Sequence, residues 1–309
     1  DGRHYVIPHV RAIRAKLGKT LKRRALHLFR VLPAREGDRN IRLYRGKIPY
    51  NAETRMRLKA GKPINYGAAF FPKLQLEVLE TASDFTVTGL NGYDAESLIS
   101  SQVLQGRKEQ CSAIIWGELT MRQKDVTFLA TQLRDNFLSE GTSPQFVAAG
   151  SWHIKTGDET RNIATVLDGA GRPLLTYAKY MKYEWRGLYE AIVPGTEIPV
   201  LISEDQMFTM SICRDFLDET TEPPFRKLHV DIALVSSMAP SHPDNQTMIN
   251  HAVTANVMKV RYGTRALVVQ QLPAPEKGMV GQVLSFPDKP VDPSAILSVN
   301  DAFLTCPCV

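Results

Sequence analysis

Cysteine is scarce, at four in 309 residues. Four thiols do not make a disulfide scaffold, and the scarcity points to a reducing, cytoplasmic setting. Long apolar runs are also missing. No stretch reaches the roughly 18 uninterrupted apolar residues of a membrane-spanning helix, so no membrane partner is expected. The opening Asp1-Gly2-Arg3-His4 lacks the apolar core of a signal peptide. It also lacks an initiator Met, so the chain reads as part of a longer polypeptide. The seven histidines are scattered, with no His-Glu-x-x-His. Cys306-Pro307-Cys308 has no histidine close by, so no metal site is read. Gly18-Lys19-Thr20 is not a phosphate loop, because Ile13 stands where the pattern requires glycine. No internal repeat is visible. What is present is an ordinary globular balance, 43% hydrophobic and 23% charged, which excludes wholesale disorder.

Charge is distributed unevenly. Residues 1–75 hold 19 Lys and Arg against 4 Asp and Glu, a net of +15, and the remainder carries −9. The chain therefore reads as two parts, a basic helical and irregular arm or linker over 1–75 and a separate folded domain over 83–300. Within the arm, residues 9–30 have Val10, Ile13, Leu17, Leu21, Ala25 and Leu28 at helical spacing, with Arg and Lys on the other faces. Residues 33–72, rich in Arg, Gly and Pro, are expected to be irregular. Phe29, Tyr44 and Tyr50 among the basic residues are suited to stacking on bases, so nucleic acid is one candidate partner and a fused or acidic protein surface the other.

From residue 83 the texture changes to short apolar runs alternating with helical patterns. Residues 85–88, 112–116, 146–151, 208–213, 230–236, 266–269 and 279–286 read as strands, and 96–108, 126–137 and 248–258 as helices. Asp168-Gly169-Ala170-Gly171 between two apolar runs predicts a hairpin over 162–180. This alternation predicts an α/β domain with a mixed sheet.

Three apolar strands end in a reactive side chain. They are Ile114-Ile115-Trp116-Gly117-Glu118, Leu175-Thr176-Tyr177-Ala178-Lys179 and Met210-Ser211-Ile212-Cys213-Arg214-Asp215. Strand ends are where an α/β sheet presents groups to a ligand. The set is chemically coherent. A thiol attacks once its proton is removed, a carboxylate of raised pKa removes it, and a lysine stabilises the developing oxyanion with the N–H of Arg214 beside it. Lys182 and Glu184 are local rivals. A Cys–His pairing with His229, His242 or His251 has no local signature.

The order Glu118, Lys179, Cys213, with these flanks, resembles the nitrilase (carbon–nitrogen hydrolase) superfamily over about residues 85–286. Tyr189-Glu190-Ala191-Ile192-Val193-Pro194-Gly195 resembles the family segment with a second glutamate, and Asp231 to Ser237 its next strand. Three places depart from the pattern. Gly117 replaces the usual Pro, Ala178 and Met181 replace a basic residue and a His, and Phe216-Leu217-Asp218-Glu219 replaces Phe-Pro-Glu. The resemblance implies a four-layer α-β-β-α sandwich without organic cofactor, assembled into dimers or larger homo-oligomers. It implies Glu118, Lys179, Cys213 and Glu190 as catalytic residues, the Arg214 backbone as oxyanion donor, and Tyr177, Ser236 and Ser237 as substrate contacts. It also implies hydrolysis of a small amide, favoured over a nitrile by Cys-Arg-Asp after the strand. The alternative is an assembly or sensing module of a larger nucleic-acid-associated protein. Nitrilase-like domains fused to reverse transcriptases in bacterial antiphage defence offer one such setting.

Overall fold

The computed structural model describes residues 3–8, 29–46, 55–57, 60–140, 144–203, 206–217, 225, 228–239, 245–273, 278–287 and 295–308. In chain order the first strands are β1 (His4–Pro8), β2 (Phe29–Pro33), β3 (Arg35–Glu36), β4 (Arg39–Arg45), β5 (Ile64–Ala69), β6 (Gln75–Glu80) and β7 (Asp84–Asn91). Helix α1 (Ala95–Lys108), β8 (Cys111–Trp116) and helix α2 (Gln123–Glu140) lead into β9 (Phe146–Thr156), β10 (Glu159–Asp168) and β11 (Pro173–Ala178). Next come β12 (Glu184–Trp185), β13 (Leu188–Glu190), β14 (Glu197–Ser203), β15 (Gln206–Ile212) and a 3₁₀ turn over Cys213–Phe216. The last elements are β16 (Ile232–Met238), helix α3 (Asn245–Tyr262), β17 (Arg265–Gln271), β18 (Gly281–Ser285), β19 (Ile296–Val299) and β20 (Phe303–Cys308).

Two large sheets face each other. One has six strands in the order β11-β10-β9-β8-β5-β20, the other eight in the order β19-β18-β17-β16-β15-β14-β4-β3. Alternation along each strand supplies both faces. Tyr66, Ala68, Ile115 and Phe146 of the first sheet meet Phe208, Met210, Leu234 and Leu267 of the second in the central core. The opposite face of the first sheet (Ile114, Trp116, Val147) packs under α1 and α2 through Ile99, Val103, Leu129 and Leu133. The opposite face of the second (Ala233, Val235, Val268) packs under α3 through Met248, Ala252 and Met258. All six residues of β8 are buried because both of its faces are covered, which explains its unbroken apolar run. The architecture is α-β-β-α, as the resemblance implied. Among the described residues, no helix is long and apolar enough to cross a membrane.

Helix α1 starts where Asp94 caps it, its side chain accepting from the Ser97 N–H at 3.3 Å. Glu96 in its first turn and Arg107 and Lys108 in its last oppose the helix dipole favourably. The hairpin forms as expected, with Ala164 opposite Tyr177 and Val166 opposite Leu175.

The basic segment behaves differently from expectation. Most of the amphipathic helix, residues 9–28, lies outside the described residues, but Arg30 is in strand β2, paired with β1. The described residues within 33–72 are not an irregular arm. Strand β4 pairs in parallel with β14, Ile41 opposite Ile198 and Leu43 opposite Val200. Strand β5 sits inside the six-stranded sheet between β8 and β20. A boundary between 75 and 83 therefore cuts through both sheets. The physical reason is that charge and burial alternate in β4. Ile41 is buried while Arg42 faces out to an ion pair with Glu197 at 3.1 Å. The high Arg content masked a strand whose other face is core. Arg30 ties β2 to the same domain, donating to Asp231 Oδ1 at 2.5 Å and to the His229 carbonyl at 2.6 Å.

Candidate active site

Glu118, Lys179, Glu190 and Cys213 line one cavity of about 530 Å³, mouth included. Each comes from the end of a different strand. Glu118 follows β8, Lys179 follows β11, Glu190 closes β13 and Cys213 follows β15. Two left-handed residues make the turns abrupt. Leu119, next to Glu118, has φ 54°, and Cys213 has φ 43°. A non-glycine residue in this region is strained, and such strain persists only where surrounding contacts over-determine it.

The contacts behind Glu118 are tight. Its N–H donates to the Ser237 carbonyl at 3.1 Å, and the Leu119 N–H donates to Ser151 Oγ at 3.2 Å. Gly117 fills a place with no room for a side chain, since a Cβ there would lie 2.7 Å from Gln271 Cβ and 3.0 Å from the Ser237 carbonyl. Gly117 thus accounts for the departure from Pro at this position. Gly150 (φ 51°) backs the same loop, where a Cβ would approach the Gly117 carbonyl to 2.4 Å.

Lys179 is the hub. Its Nζ donates to Glu118 Oε1 at 2.7 Å and to Glu190 Oε2 at 2.6 Å, and all three side chains are buried. Burial pushes the Lys179 ammonium toward neutrality, but the charges of Glu118 and Glu190 outweigh it and raise its pKa well above the usual value. The two glutamates differ in their remaining partners. Glu190 accepts four hydrogen bonds, from Lys179 Nζ, the Tyr183 N–H at 3.1 Å, His153 Nε2 at 2.9 Å and Asn162 Nδ2 at 2.9 Å. Burial pushes its pKa up, but the Lys179 charge and the His153 hydrogen bond prevail, leaving it at about 2. Glu190 is a fixed anion. Glu118 accepts from Lys179 and from Asn162 Nδ2 at 3.0 Å, both on Oε1. Burial raises its pKa, with the Glu190 charge adding to it and Lys179 opposing. Glu118 is therefore the carboxylate of the pair suited to exchange a proton.

Cys213 is held as a thiol. Burial and the Glu118 charge push it up to about 12, against the Lys179 charge and hydrogen bonds from the Ser237 hydroxyl and the Met238 backbone. Asp215, two residues on, ties the Cys213 turn to the Lys179 loop. It accepts from Tyr177 Oη at 2.5 Å and from the N–H groups of Tyr180 and Met181 at 3.0 and 2.6 Å. Burial lifts Asp215 to about 6, with the Tyr177 hydrogen bond opposing.

Three residues expected to touch substrate do not line the cavity. Tyr177 is buried in the core with its hydroxyl on Asp215. Ser236 is buried and donates to the Trp116 carbonyl at 2.7 Å. Ser237 is buried, its hydroxyl 3.2 Å from His251 Nε2 and near Cys213. These groups hold the Glu118 and Cys213 turns from behind. They were misplaced because a strand end exposes only alternate residues, and the register was unknown. The rivals Lys182 and Glu184 are exposed. His251 is buried, which lowers it to about 3, and it bonds Ser237 rather than acting beside the thiol. His229 contacts Arg30 through its carbonyl, and His242 lies outside the described residues.

The sequence reading missed His153 and Asn162. Asn162 lies on β10 and bridges both glutamates. His153 Nδ1 accepts the Val87 N–H at 2.9 Å, so its proton sits on Nε2 and is donated to Glu190. The one available signal was a polar residue inside an apolar strand, at Asn162 before Ile163. Replacing His153 with Leu is expected to orphan the buried Val87 N–H and strip one donor from Glu190. About 1–3 kcal/mol of stability should be lost in urea titration, and a variant as stable as wild type would contradict this bridge.

The fold and the cavity define the class: an α-β-β-α sandwich with a buried Glu-Lys-Glu-Cys cluster at its strand ends. Solved structures share this fold. A glutamate-to-leucine mutant of the amidase from Nesterenkonia sp. AN1, showing covalent addition of the acetamide moiety of fluoroacetamide at the active-site cysteine, matches with TM-score 0.53 and 16% identity. The match covers 80% of this chain and 91% of that one. A cysteine-to-alanine mutant of the same amidase in complex with butyramide matches with TM-score 0.53, 16% identity and coverage of 85% and 93%. A cysteine-to-serine mutant, described as an amidase from the nitrilase superfamily, gives 0.52, 15%, 79% and 91%. This chain has the fold of nitrilase-superfamily amidases. No protein-family model and no curated protein sequence matches it.

Proposed function

We propose that this chain is a cysteine-dependent hydrolase of a non-peptide carbon–nitrogen bond, acting on a small amide in preference to a nitrile. One observation carries the reading: Lys179 Nζ bridges Glu118 and Glu190 at 2.7 and 2.6 Å inside the cavity that Cys213 also lines. The structural similarity to amidases that hold acetamide or butyramide supports the same class.

Cys213 Sγ attacks the amide carbon while Glu118 takes the thiol proton. A thiol held at about 12 needs that base at the moment of attack. The carbonyl oxygen becomes an oxyanion held by Lys179 Nζ and the Arg214 N–H. The carbon–nitrogen bond breaks as Glu118 returns the proton to nitrogen, and ammonia or an amine leaves from a thioester. Glu118 then removes a proton from water, the hydroxide adds to the thioester, and Cys213 departs and is reprotonated. Glu118 returns that proton to the departing sulfur, and the product is a carboxylic acid, which gives up its own proton to the released ammonia or amine or to solvent. Glu190, a permanent anion, keeps Lys179 charged throughout.

The test is ammonia release from a panel of small primary amides, with intact-mass measurement of the quenched protein. Wild-type chain should release ammonia and carry an acyl adduct on Cys213, and Cys213→Ala should do neither. Undiminished ammonia release by Cys213→Ala would refute the reading.

A further inference from the structure

The cavity has a second half that the chemistry does not use. Leu76, Val78, Phe85, Val87, Trp185 and Met238 line it beside the four reacting groups. Most of these come from a small sheet of its own, in the order β12-β13-β7-β6, outside the two large sheets. Strand alternation places them on one face. Val78 stands opposite Val87 across the β6–β7 ladder; Glu77 alternates to the other face, and Glu80, opposite Phe85 at the end of β6, is exposed and outside the cavity lining. Phe85 meets Trp185 edge to face at 5.8 Å, closing the wall. The same sheet contains Glu190 on β13, paired in parallel with β7, Glu190 opposite Phe85. The apolar wall and the fixed anion are therefore one rigid unit.

We infer that the group carried by the substrate's carbonyl carbon is an uncharged hydrocarbon chain or ring, packed between the β6–β7 hairpin and Trp185. This rests on the amide-hydrolase reading above and goes beyond it in naming the acyl group. Three points carry it. Among the described residues, the charged side chains lining the cavity are Glu118, Lys179 and Glu190, and they are engaged with one another. A carboxylate or ammonium on the acyl group would lose water against a wall that is apolar except for Tyr183, with no lining charge left to pair with it, which is strongly unfavourable. Leu76, Val78 and Trp185 are only half-buried at the cavity, so apolar surface remains there for a ligand to cover. The lining has the character of small-molecule sites, which are typically apolar walls with a few polar groups that orient the ligand.

The experiment measures affinity along a series of primary amides, propionamide, butyramide, pentanamide and hexanamide, with succinamate as the charged control. Binding is read by calorimetry on the full chain carrying Cys213→Ala, and kcat/KM for ammonia release on the wild-type chain. Each added methylene should tighten binding roughly fourfold until the wall is filled. Succinamate should bind at least tenfold more weakly than pentanamide. Affinity that stays flat along the series, or succinamate binding as tightly as pentanamide, would overturn the inference even if amides are hydrolysed. A rising affinity with no ammonia released from any amide would uphold the apolar site and refute the hydrolase reading instead. Should Cys213→Ala prove unstable, inhibition of wild-type alkylation by the same series gives the same ordering.

Discussion

Glu118→Gln is expected to lower kcat/KM for amide hydrolysis by about 10²–10⁴, the span of general acid–base catalysis, while leaving the fold intact. Gln has the shape of Glu, and its oxygen still accepts from Lys179 Nζ. Lys179 also keeps Glu190, so the buried cation remains paired. What disappears is the group that the proposed mechanism uses to take the thiol proton, and a thiol held at about 12 does not ionise alone near neutrality. The pH profile of the wild-type chain tests the same assignment. The proposed mechanism requires Glu118 as carboxylate, and its pKa is raised by burial. The rate should therefore rise with pH through a limb above the ordinary glutamate range. It should then hold a plateau, because Lys179 stays charged and Cys213 stays a thiol far into the alkaline range. A Glu118→Gln chain retaining more than a tenth of wild-type kcat/KM would transfer the base role elsewhere, and an acid limb at or below the usual glutamate value would contradict the electrostatics.

Lys179→Met should damage stability more than any other single change at the site. Met matches the length of the stem but leaves Glu118 and Glu190 buried close together without a cation. Removing one partner of a buried ion pair costs about 3–5 kcal/mol, because the remaining charge is stranded. The sign of the pH effect separates this from a packing defect. In the wild-type chain the Glu190 pKa is depressed to about 2, so its contribution is complete above the unfolded glutamate value of about 4.5 and is lost as pH falls toward 2. In Lys179→Met the two carboxylates should instead have raised pKa values. The folded state then binds more protons than the unfolded one, and stability increases as pH falls from neutrality. Urea titrations at pH 7.5 and pH 5 should show the deficit shrinking at the lower pH. A deficit of less than 1 kcal/mol at pH 7.5, or one that grows on acidification, would mean that Lys179 does not hold the two carboxylates as ions.

Local pattern determined a great deal here. The apolar runs ending in Glu118, Lys179 and Cys213 identified three strands, the turn at Asp168 to Gly171 identified the hairpin, and helical spacing identified α1, α2 and α3. These features are legible because side-chain period and turn chemistry act within a few residues of sequence. The gathering of Glu118, Lys179, Glu190 and Cys213 in one cavity was implied by resemblance, and their strand-end placement is consistent with it.

Only the tertiary structure decided the rest. Strands β4 and β5 enter the large sheets by pairing with β14 and β8, distant in sequence, and no local period separates an Arg-rich strand from an irregular arm. His153 reaches Glu190 across 37 positions and Val87 across 66, and Asn162 reaches Glu118 across 44. Which glutamate is the fixed anion and which the proton carrier depends on how many donors converge on each. The resemblance implied Tyr177, Ser236 and Ser237 as substrate contacts, yet all three are buried, their hydroxyls engaged with Asp215, the Trp116 carbonyl and His251. One residue of sequence reverses the face of a strand, so side-chain direction depends on register, and register is fixed by packing between elements far apart along the chain.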